Sequence, residues 1–290
     1  MAAMKGFSGY RTRLAPTPSG YLHLGHARAF AAAWHRAREM AGRLVLRIED
    51  IDLARCKPEY FAAALDDLRW LGFDWQEGPD VGGFHGPYVQ SERFDWHRDC
   101  LERLRASNAV YPCACSRRDL AEAPRAPHDE ETLYPGTCRP GSGGGVDPKR
   151  QSCVWRFRVP EGRTVRFRDR LHGDMAYVAG KDFGDFIVWR REDLPAYQLA
   201  VVADDHAMGI TEVIRGADLL VSTARQILLY EALQWEVPAW AHFDLIRDRN
   251  GRRLSKRENS WRIRELRADG WLPEELLREP MTELMRRSEP

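Results

Sequence analysis

The sequence predicts an α/β fold built on a parallel sheet of Rossmann type, interrupted by an insertion and followed by a short helical region. Predicted strands and helices alternate along the first part of the chain, an order that produces a parallel sheet covered by helices. Cysteines, prolines and a glycine-rich tract then replace the alternation, which returns later. We expect a Rossmann first half at 1–110, an insertion at 111–180, a Rossmann second half at 181–246, and a loop with a helical tail at 247–290.

The individual elements follow from apolar periodicity and from the positions of glycine and proline. Gly42 marks the end of the first helix, and Pro58 marks the first turn of the second. Residues 43–49 alternate as a strand does. The expected strands lie at 10–15, 43–49, 153–159 and 243–246, the expected helices at 24–41, 58–71, 94–107 and 222–233, and further elements of the returning pattern at 186–189, 196–203 and 213–216.

Composition excludes several classes of protein. Hydrophobic residues make up 43% and charged residues 30% of the 290 residues, an ordinary balance for a soluble domain. No apolar run approaches the roughly 20 residues of a membrane-spanning helix. The first residues also lack the apolar core of a secretion signal. We therefore expect a cytoplasmic protein with no membrane partner.

Positive charge is concentrated late in the chain. The formal net charge is only +1, but residues 247–267 contain nine Arg or Lys against three acidic residues. Such a stretch suits phosphate groups. Taken alone it would more often be a solvated surface, and the lysine motif around Lys256 favours the phosphate interpretation.

A histidine motif, His23-Leu-Gly-His26, stands where the first strand gives way to the first helix. A helix N-terminus offers unpaired N–H groups to a phosphate, and Gly25 lets a ligand approach the backbone. The two histidines can donate hydrogen bonds to the α-phosphate as its charge develops in the transition state. In isolation, the motif would more often be two surface histidines. The residues around it decide the matter.

Five blocks of sequence place this motif in a larger pattern. They are Arg13-Leu-Ala-Pro-Thr-Pro-Ser-Gly-Tyr-Leu-His-Leu-Gly-His26, Arg47-Ile-Glu-Asp-Ile-Asp52, Ala196-Tyr-Gln-Leu-Ala-Val-Val-Ala-Asp-Asp-His206, Ile214-Arg-Gly-Ala-Asp218 and Arg253-Leu-Ser-Lys-Arg257. In this order and spacing they resemble the glutamyl- and glutaminyl-tRNA synthetases. The resemblance implies the catalytic domain of a class I aminoacyl-tRNA synthetase, a ligase that uses ATP with Mg²⁺ to convert L-glutamate to glutamyl-adenylate.

The acceptor of the glutamate is suggested by the short tail. Residues 258–290 are too few for an anticodon-binding domain. The chain is most similar to a short branch of the family without that domain, which implies activation without tRNA and transfer to the queuosine base of the tRNA(Asp) anticodon loop. One alternative is a truncated glutamyl-tRNA synthetase that charges a tRNA 3′ end. Another is a non-catalytic paralogue that binds zinc or RNA. We expect a monomer.

The resemblance also implies which residues bind the substrates. Arg13 and Arg215 have the planar guanidinium groups that suit the two carboxylates of glutamate. Glu49 can accept from its ammonium group, and Tyr197 can hydrogen-bond to it. Lys256 stabilises the phosphates of ATP. The implied glutamate site comprises Arg13, Leu14, Ala15, Pro16, Thr17, Glu49, Tyr197 and Arg215, and the implied ATP site comprises His23, Gly25, His26, Ser255 and Lys256, with His23, His26 and Lys256 as catalytic residues.

Three cysteines of the insertion predict a structural zinc site. Cys113 and Cys115 are separated by one residue, and Cys138 follows 23 positions after Cys115, which leaves one of four tetrahedral ligands to be found. Ligand chemistry favours His128 or Cys153 for the fourth position. The resemblance implies Tyr134 instead, since Tyr134-Pro-Gly-Thr-Cys138 follows the pattern of the short branch. Three reduced cysteines without a metal are the alternative.

Overall fold

The structure, a computed structural model, describes residues 9–116, 118–120, 133–142, 146–148, 152–244 and 261–278. The chain divides into two compact units. Unit 1 contains the described parts of 1–92, 208–217 and 241–290, and unit 2 contains those of 93–207 and 218–240. The elements are β1 (Arg11–Leu14), α1 (Leu24–Glu39), β2 (Arg43–Leu46), α2 (Pro58–Trp70), α3 (Phe94–Ala106), β3 (Val110–Cys113), β4 (Val154–Phe157), β5 (Thr164–Asp169), β6 (Gly173–Val178), β7 (Ile187–Trp189), α4 (Tyr197–Ala207), β8 (Glu212–Gly216), α5 (Leu220–Ala232), β9 (Ala239–Phe243), α6 (Ile263–Ala268) and α7 (Pro273–Arg278).

Unit 1 begins with the predicted strand–helix–strand sequence. β1 and β2 pair in parallel, from Arg11 opposite Arg43 to Leu14 opposite Leu46. The alanines of α1 allow that helix to pack closely on the strands. α1 ends at Glu39, and the backbone turns back at Gly42, where a side chain would collide with Tyr10 at 2.5 Å. The core of the unit includes Leu14, Leu24, Ala27, Leu44, Leu46, Leu68, Ile214 and Ala241.

The polypeptide beyond β2 remains attached to its neighbours although the strand ends at Leu46. The N–H of Arg47 donates to the carbonyl of Leu14 at 2.9 Å, and the N–H of Glu49 donates to that of Pro16 at 3.0 Å. On its other side, Ile48 forms a parallel bridge with Val89. These bonds carry the extended backbone through residue 49, as the alternation predicts.

The helical tail packs into the core of unit 1. Ile263 and Leu266 of α6 and Leu276 of α7 are buried there. The N–H of Ile263 donates to the carbonyl of Leu22 at 2.9 Å, and Arg262 forms an antiparallel bridge with His23. The residues at the start of α6 are therefore joined directly to the histidine motif.

Unit 2 contains antiparallel strands and three helices. β4 lies between β3 and β7, and both neighbours run antiparallel to it. β5 and β6 form a hairpin that was not among the expected elements, with Thr164 opposite Val178. Helices α3, α4 and α5 belong to the same unit.

The observed strand β9 runs from Ala239 to Phe243 and so shares Phe243 with the strand expected at 243–246, of which residues 245 and 246 lie outside the described residues. Its residue Trp240 pairs in parallel with Asp169 of β5 within unit 2. In unit 1, the later part of β9 lies beside β8. Pairing with neighbouring strands therefore selects the earlier segment. Among the described residues, no helix is long and apolar enough to cross a membrane.

Candidate active site

The histidine motif forms the N-terminus of the 16-residue helix α1. The N–H of Gly25 donates to Nδ1 of His23 at 3.1 Å, and the N–H of His23 donates to Nδ1 of His26 at 3.3 Å. The two rings stack with centroids 3.7 Å apart. Because both Nδ1 atoms accept, a neutral ring carries its proton on Nε2. In that tautomer, the donor of each histidine ring is its Nε2–H.

Gly25 is required by this arrangement. A side chain there would lie 3.0 Å from Cε1 of His23, which leaves little room for the capping ring. The first turn of α1 contains no acidic residue, so no carboxylate of that turn offsets the positive end of the helix dipole. The turn is thus suited to a phosphate group in charge and in hydrogen-bond donors.

Two buried arginines lie on two strands of unit 1. Arg13 is on β1 and Arg215 on β8, and only 4% and 7% of their surfaces are exposed. Nη1 of Arg13 donates to the carbonyl of Ile214 at 3.3 Å, which places its guanidinium beside the backbone of β8. Nε of Arg215 donates to Nε2 of His242 on β9 at 3.1 Å. Buried guanidinium groups of this kind bind carboxylates in pairs of parallel hydrogen bonds.

Glu49 is a buried acidic residue of unit 1, opposite in charge to Arg13 and Arg215. Its Oε1 accepts from Nη2 of Arg47 at 2.9 Å, and Arg47 is completely buried. Nη1 of Arg47 also contacts the sulfur of Met208 at 3.8 Å. The hydrogen bond from the N–H of Glu49 to the carbonyl of Pro16 places the backbone of Glu49 beside residues 15–17.

The predicted loop residues contribute in different ways. The side chain of Leu14 belongs to the core, so only its backbone could face a ligand. Pro16 is buried, Ala15 is half-buried and Thr17 is exposed. Ser255 and Lys256 lie outside the described residues.

Tyr197 belongs to unit 2, where it begins helix α4 and is 38% exposed. It lines a cavity of about 450 Å³ together with Arg156, Asp185, Gln198 and Arg225. The amide of Gln198 donates to Oγ of Ser222 at 3.0 Å and accepts from Gln226 at 2.9 Å, which fixes one wall. Arg156 is held by the carbonyl of Asp185 at 2.9 Å. The cavity is large enough for a small molecule.

The three cysteines of the insertion lie together in unit 2. The sulfurs of Cys113, Cys115 and Cys138 are all within 4.8 Å of one another. The phenolic oxygen of Tyr134 lies 3.3 Å from the sulfur of Cys113 and 3.5 Å from that of Cys115. In a tetrahedral zinc site with bonds of about 2.0–2.3 Å, the ligand atoms lie at distances from one another that are similar to those between these sulfur and oxygen atoms. The four side chains therefore fit one zinc ion.

The two other candidates for the fourth ligand can be compared with Tyr134. Cys153 is described but is not part of the cysteine cluster, and His128 lies outside the described residues. Burial raises the pKa of the Cys115 thiol to about 11 and also raises the pKa of the Tyr134 phenol. Ligation would require a cation that favours the deprotonated forms.

The described part of the basic stretch lies on α6 and beside it. Arg262 pairs with Glu265 at 3.0 Å and Arg267 with Asp66 at 2.8 Å. The guanidinium of Arg264 lies 4.2 Å from the ring centre of Tyr21. Two of these three arginines thus have carboxylate partners within unit 1.

Two residues of this site were missed by sequence reasoning. Arg47 could have been found, because residues i and i+2 of an extended segment share a face and Arg47 stands two before Glu49. His242 gave no such signal. Its contact with Arg215 depends on the pairing of β8 with β9, which connects residues 27 positions apart.

Comparison with known proteins identifies the family. Residues 10–287 match the family described as tRNA synthetases class I (E and Q), catalytic domain. The chain belongs to this family of class I synthetases. It is therefore a ligase of the aminoacyl-tRNA synthetase type, and the predicted fold class is confirmed.

Several relatives within the family carry specific names. Glutamyl-Q tRNA(Asp) synthetase of Symbiobacterium thermophilum is 49% identical over 268 residues, which cover 90% of this chain and 82% of the relative. The enzyme of the same name from Nitratidesulfovibrio vulgaris is 47% identical, with the same coverage. Glutamate–tRNA ligase 2 of Syntrophus aciditrophicus is 44% identical over 92% of this chain but only 56% of the relative.

Solved structures show the same relationship. The glutamate tRNA ligase from Elizabethkingia meningosepticum, solved in complex with its amino acid, aligns with a TM-score of 0.77 at 30% identity. The alignment covers 87% of this chain and 53% of that structure, so the chain spans about half its length. The predicted resemblance to the short branch of the family is confirmed, since this chain is similar to three glutamyl-Q tRNA(Asp) synthetases.

Proposed function

We propose that this protein activates L-glutamate with ATP in the absence of tRNA and transfers it to the queuosine base of tRNA(Asp). The observation that carries the first half is the burial of two arginines and one carboxylate within unit 1: Arg13 bonds to the carbonyl of Ile214, the neighbour of Arg215, and Glu49 bonds through its N–H to the loop that follows β1. An amino acid with two carboxylates and one ammonium group requires this set of charges. Glutamine would leave one guanidinium without its anion.

Formation of the adenylate needs no nucleophile from the protein, because the α-carboxylate of glutamate attacks the α-phosphate of ATP. The new carboxyl–phosphate bond forms as pyrophosphate leaves. His23 and His26 would donate from Nε2 to oxygens of the α-phosphate, and the N-terminus of α1 would add its dipole. Lys256 would stabilise the departing pyrophosphate, and Mg²⁺ would accompany the nucleotide. For Tyr197, we propose a hydrogen bond to the glutamate.

Support for the acceptor comes from the relatives. Three glutamyl-Q tRNA(Asp) synthetases are 43–49% identical to this chain and are covered over 82% of their length.

We propose in addition that the enzyme is a monomer located in the cytoplasm. We also propose that one zinc ion, held by Cys113, Cys115, Tyr134 and Cys138, gives order to the insertion.

The first test is pyrophosphate exchange into ATP. The protein without RNA should catalyse exchange that depends on glutamate, and glutamine or aspartate should replace it poorly. Absence of exchange by the well-folded protein would contradict the proposal and favour a non-catalytic paralogue. His26→Ala should reduce the exchange rate constant about a hundredfold or more, because it removes a donor to the transition state.

The second test concerns the acceptor. Labelled glutamate should appear on tRNA(Asp) that contains queuosine and not on tRNA(Asp) with guanine at the same position. Periodate treatment would not separate this acceptor from the runner-up, a ligase that charges the 3′ end, which is supported by the 44% identity to a glutamate–tRNA ligase. Because periodate also cleaves the diol of queuosine, the 3′ end should instead be blocked selectively, by removal of the terminal adenosine. Label that persists after this removal supports queuosine, and label that disappears contradicts it.

A further inference from the structure

His242 is a buried histidine whose contact is directed at a candidate substrate-binding residue. It lies on β9 with no exposed surface. Its Nε2 lies 3.1 Å from Nε of Arg215 on the adjacent strand β8. Both residues belong to unit 1.

The chemistry of this contact determines the state of the imidazole. Arginine has only donors, so Nε2 of His242 must accept. A histidine that accepts on Nε2 is neutral and carries its proton on Nδ1. A protonated ring would lose the hydrogen bond and would place a second positive charge against the guanidinium.

The contact also determines the orientation of Arg215. A guanidinium is planar, so fixing Nε fixes the direction of both terminal nitrogens. A carboxylate is recognised best by two parallel hydrogen bonds from such a fork, and this recognition depends strongly on angle. A residue that holds the plane therefore determines how well the fork meets its anion.

We propose that His242 is a positioning residue that fixes the guanidinium of Arg215 for one carboxylate of the amino-acid substrate. The inference rests on the proposed function, in which Arg215 binds glutamate. In this role, His242 does not touch the substrate and affects its recognition through Arg215. Strand β9 supplies the acceptor, and the burial of His242 protects its hydrogen bond with Arg215 from competition with water.

Two amide substitutions provide a matched test. In His242→Gln, the side-chain oxygen can occupy the position of Nε2 and accept from Arg215. In His242→Asn, the shorter side chain places its oxygen near the position of Nδ1, out of reach of the guanidinium. Both variants introduce a buried amide, so a general effect of the amide on folding is common to them. Thermal unfolding followed by circular dichroism checks that both are folded.

The readout is the KM for glutamate and for ATP in pyrophosphate exchange. We expect His242→Asn to raise the KM for glutamate about tenfold to a hundredfold, with the KM for ATP unchanged. His242→Gln should stay close to the wild type. Arg215→Ala serves as the reference, with the larger increase in the KM for glutamate.

The outcomes separate this inference from the proposed function. Equal values for the Gln and Asn variants, or a parallel rise in both KM values, would overturn the positioning role while leaving glutamate activation intact. An Arg215→Ala variant with an unchanged KM for glutamate would instead remove the assignment of Arg215. Wild-type protein without glutamate-dependent exchange would overturn the proposed function itself.

Discussion

A buried carboxylate, Glu77, permits a quantitative test of how unit 1 is stabilised. Its two oxygens accept from Nη1 of Arg11 at 2.8 Å, from the hydroxyl of Tyr88 at 2.7 Å and from the ring of His85 at 2.8 Å. The carbonyl of Glu77 also accepts from the N–H of Leu46 at 2.8 Å. The residue therefore links β1 and β2, the strands that lead to the candidate site.

These contacts determine the ionisation of Glu77. Burial alone would raise the pKa, but the hydrogen bonds from Arg11, Tyr88 and His85 outweigh it and lower the pKa from 4.5 to about 2. Each pKa unit corresponds to about 1.4 kcal/mol of stability. Ionised Glu77 therefore contributes about 3 kcal/mol above pH 6, which falls to about 1.4 kcal/mol at pH 3 as the carboxylate is protonated.

Glu77→Gln removes the charge and leaves the shape. We expect the difference in unfolding free energy between the wild type and this variant to be about 3 kcal/mol at pH 6–7 and to shrink by about 2 kcal/mol at pH 3. The measurement is urea unfolding followed by tryptophan fluorescence, since Trp75 is buried in the same unit. Glu39→Gln is the matched control, because its pair with Arg36 is exposed and surface pairs contribute less than about 1 kcal/mol.

The pH dependence is the decisive part. A folded pKa below the unfolded value gives stability that is fully present above pH 4.5 and is lost as the pH falls toward 2. A difference that is constant from pH 6 to pH 3 would refute the reasoning. So would a Glu77→Gln effect no larger than that of the Glu39→Gln control.

Two further predictions concern the site and the insertion. Arg47→Met removes the cation that pairs with the buried Glu49, so we expect a loss of about 3–5 kcal/mol in unfolding free energy and a higher KM for glutamate. The control is Arg55→Met, at an exposed pair. Equal effects of the two substitutions would contradict the role given to the pair of Arg47 and Glu49. Cys138→Ser should lower both bound zinc, measured by elemental analysis, and the melting temperature. Cys153→Ser, outside the cluster, should change neither, and equal zinc content in both variants would contradict the site.

Local features of the fold could be predicted from the sequence because they depend on local chemistry. The alternation of strand and helix, the proline at the start of α2 and the glycine turn after α1 are each encoded within a few residues. The histidine turn is local too, since the ring of His23 caps its own helix. The hairpin of β5 and β6 was missed although its alternation and Gly173, with a φ of +74°, were visible.

Contacts between distant residues could not be predicted in the same way. The hydrogen bond from Arg11 to Glu77 connects positions 66 apart, and that from Arg215 to His242 connects two neighbouring strands. Such partners are chosen by strand order and register, which periodicity does not specify. The start of β9 at Ala239, before the expected Phe243, has the same origin, because Trp240 pairs with Asp169.

β1 shows how framework and site are combined in a single strand. Arg11 and Arg13 share one face of it, because side chains two apart in a strand point the same way. Arg11 bonds to Glu77 and to the carbonyl of Met208 at 2.9 Å, and so ties the strand to two distant segments. Arg13 lies two residues nearer the carboxyl end of β1 and donates a hydrogen bond to the carbonyl of Ile214, the residue before Arg215. Ligands of open parallel sheets bind beyond the carboxyl ends of the strands. The order of the two arginines therefore fits the separate roles we propose for them, in which Arg11 holds the sheet and Arg13 binds the substrate.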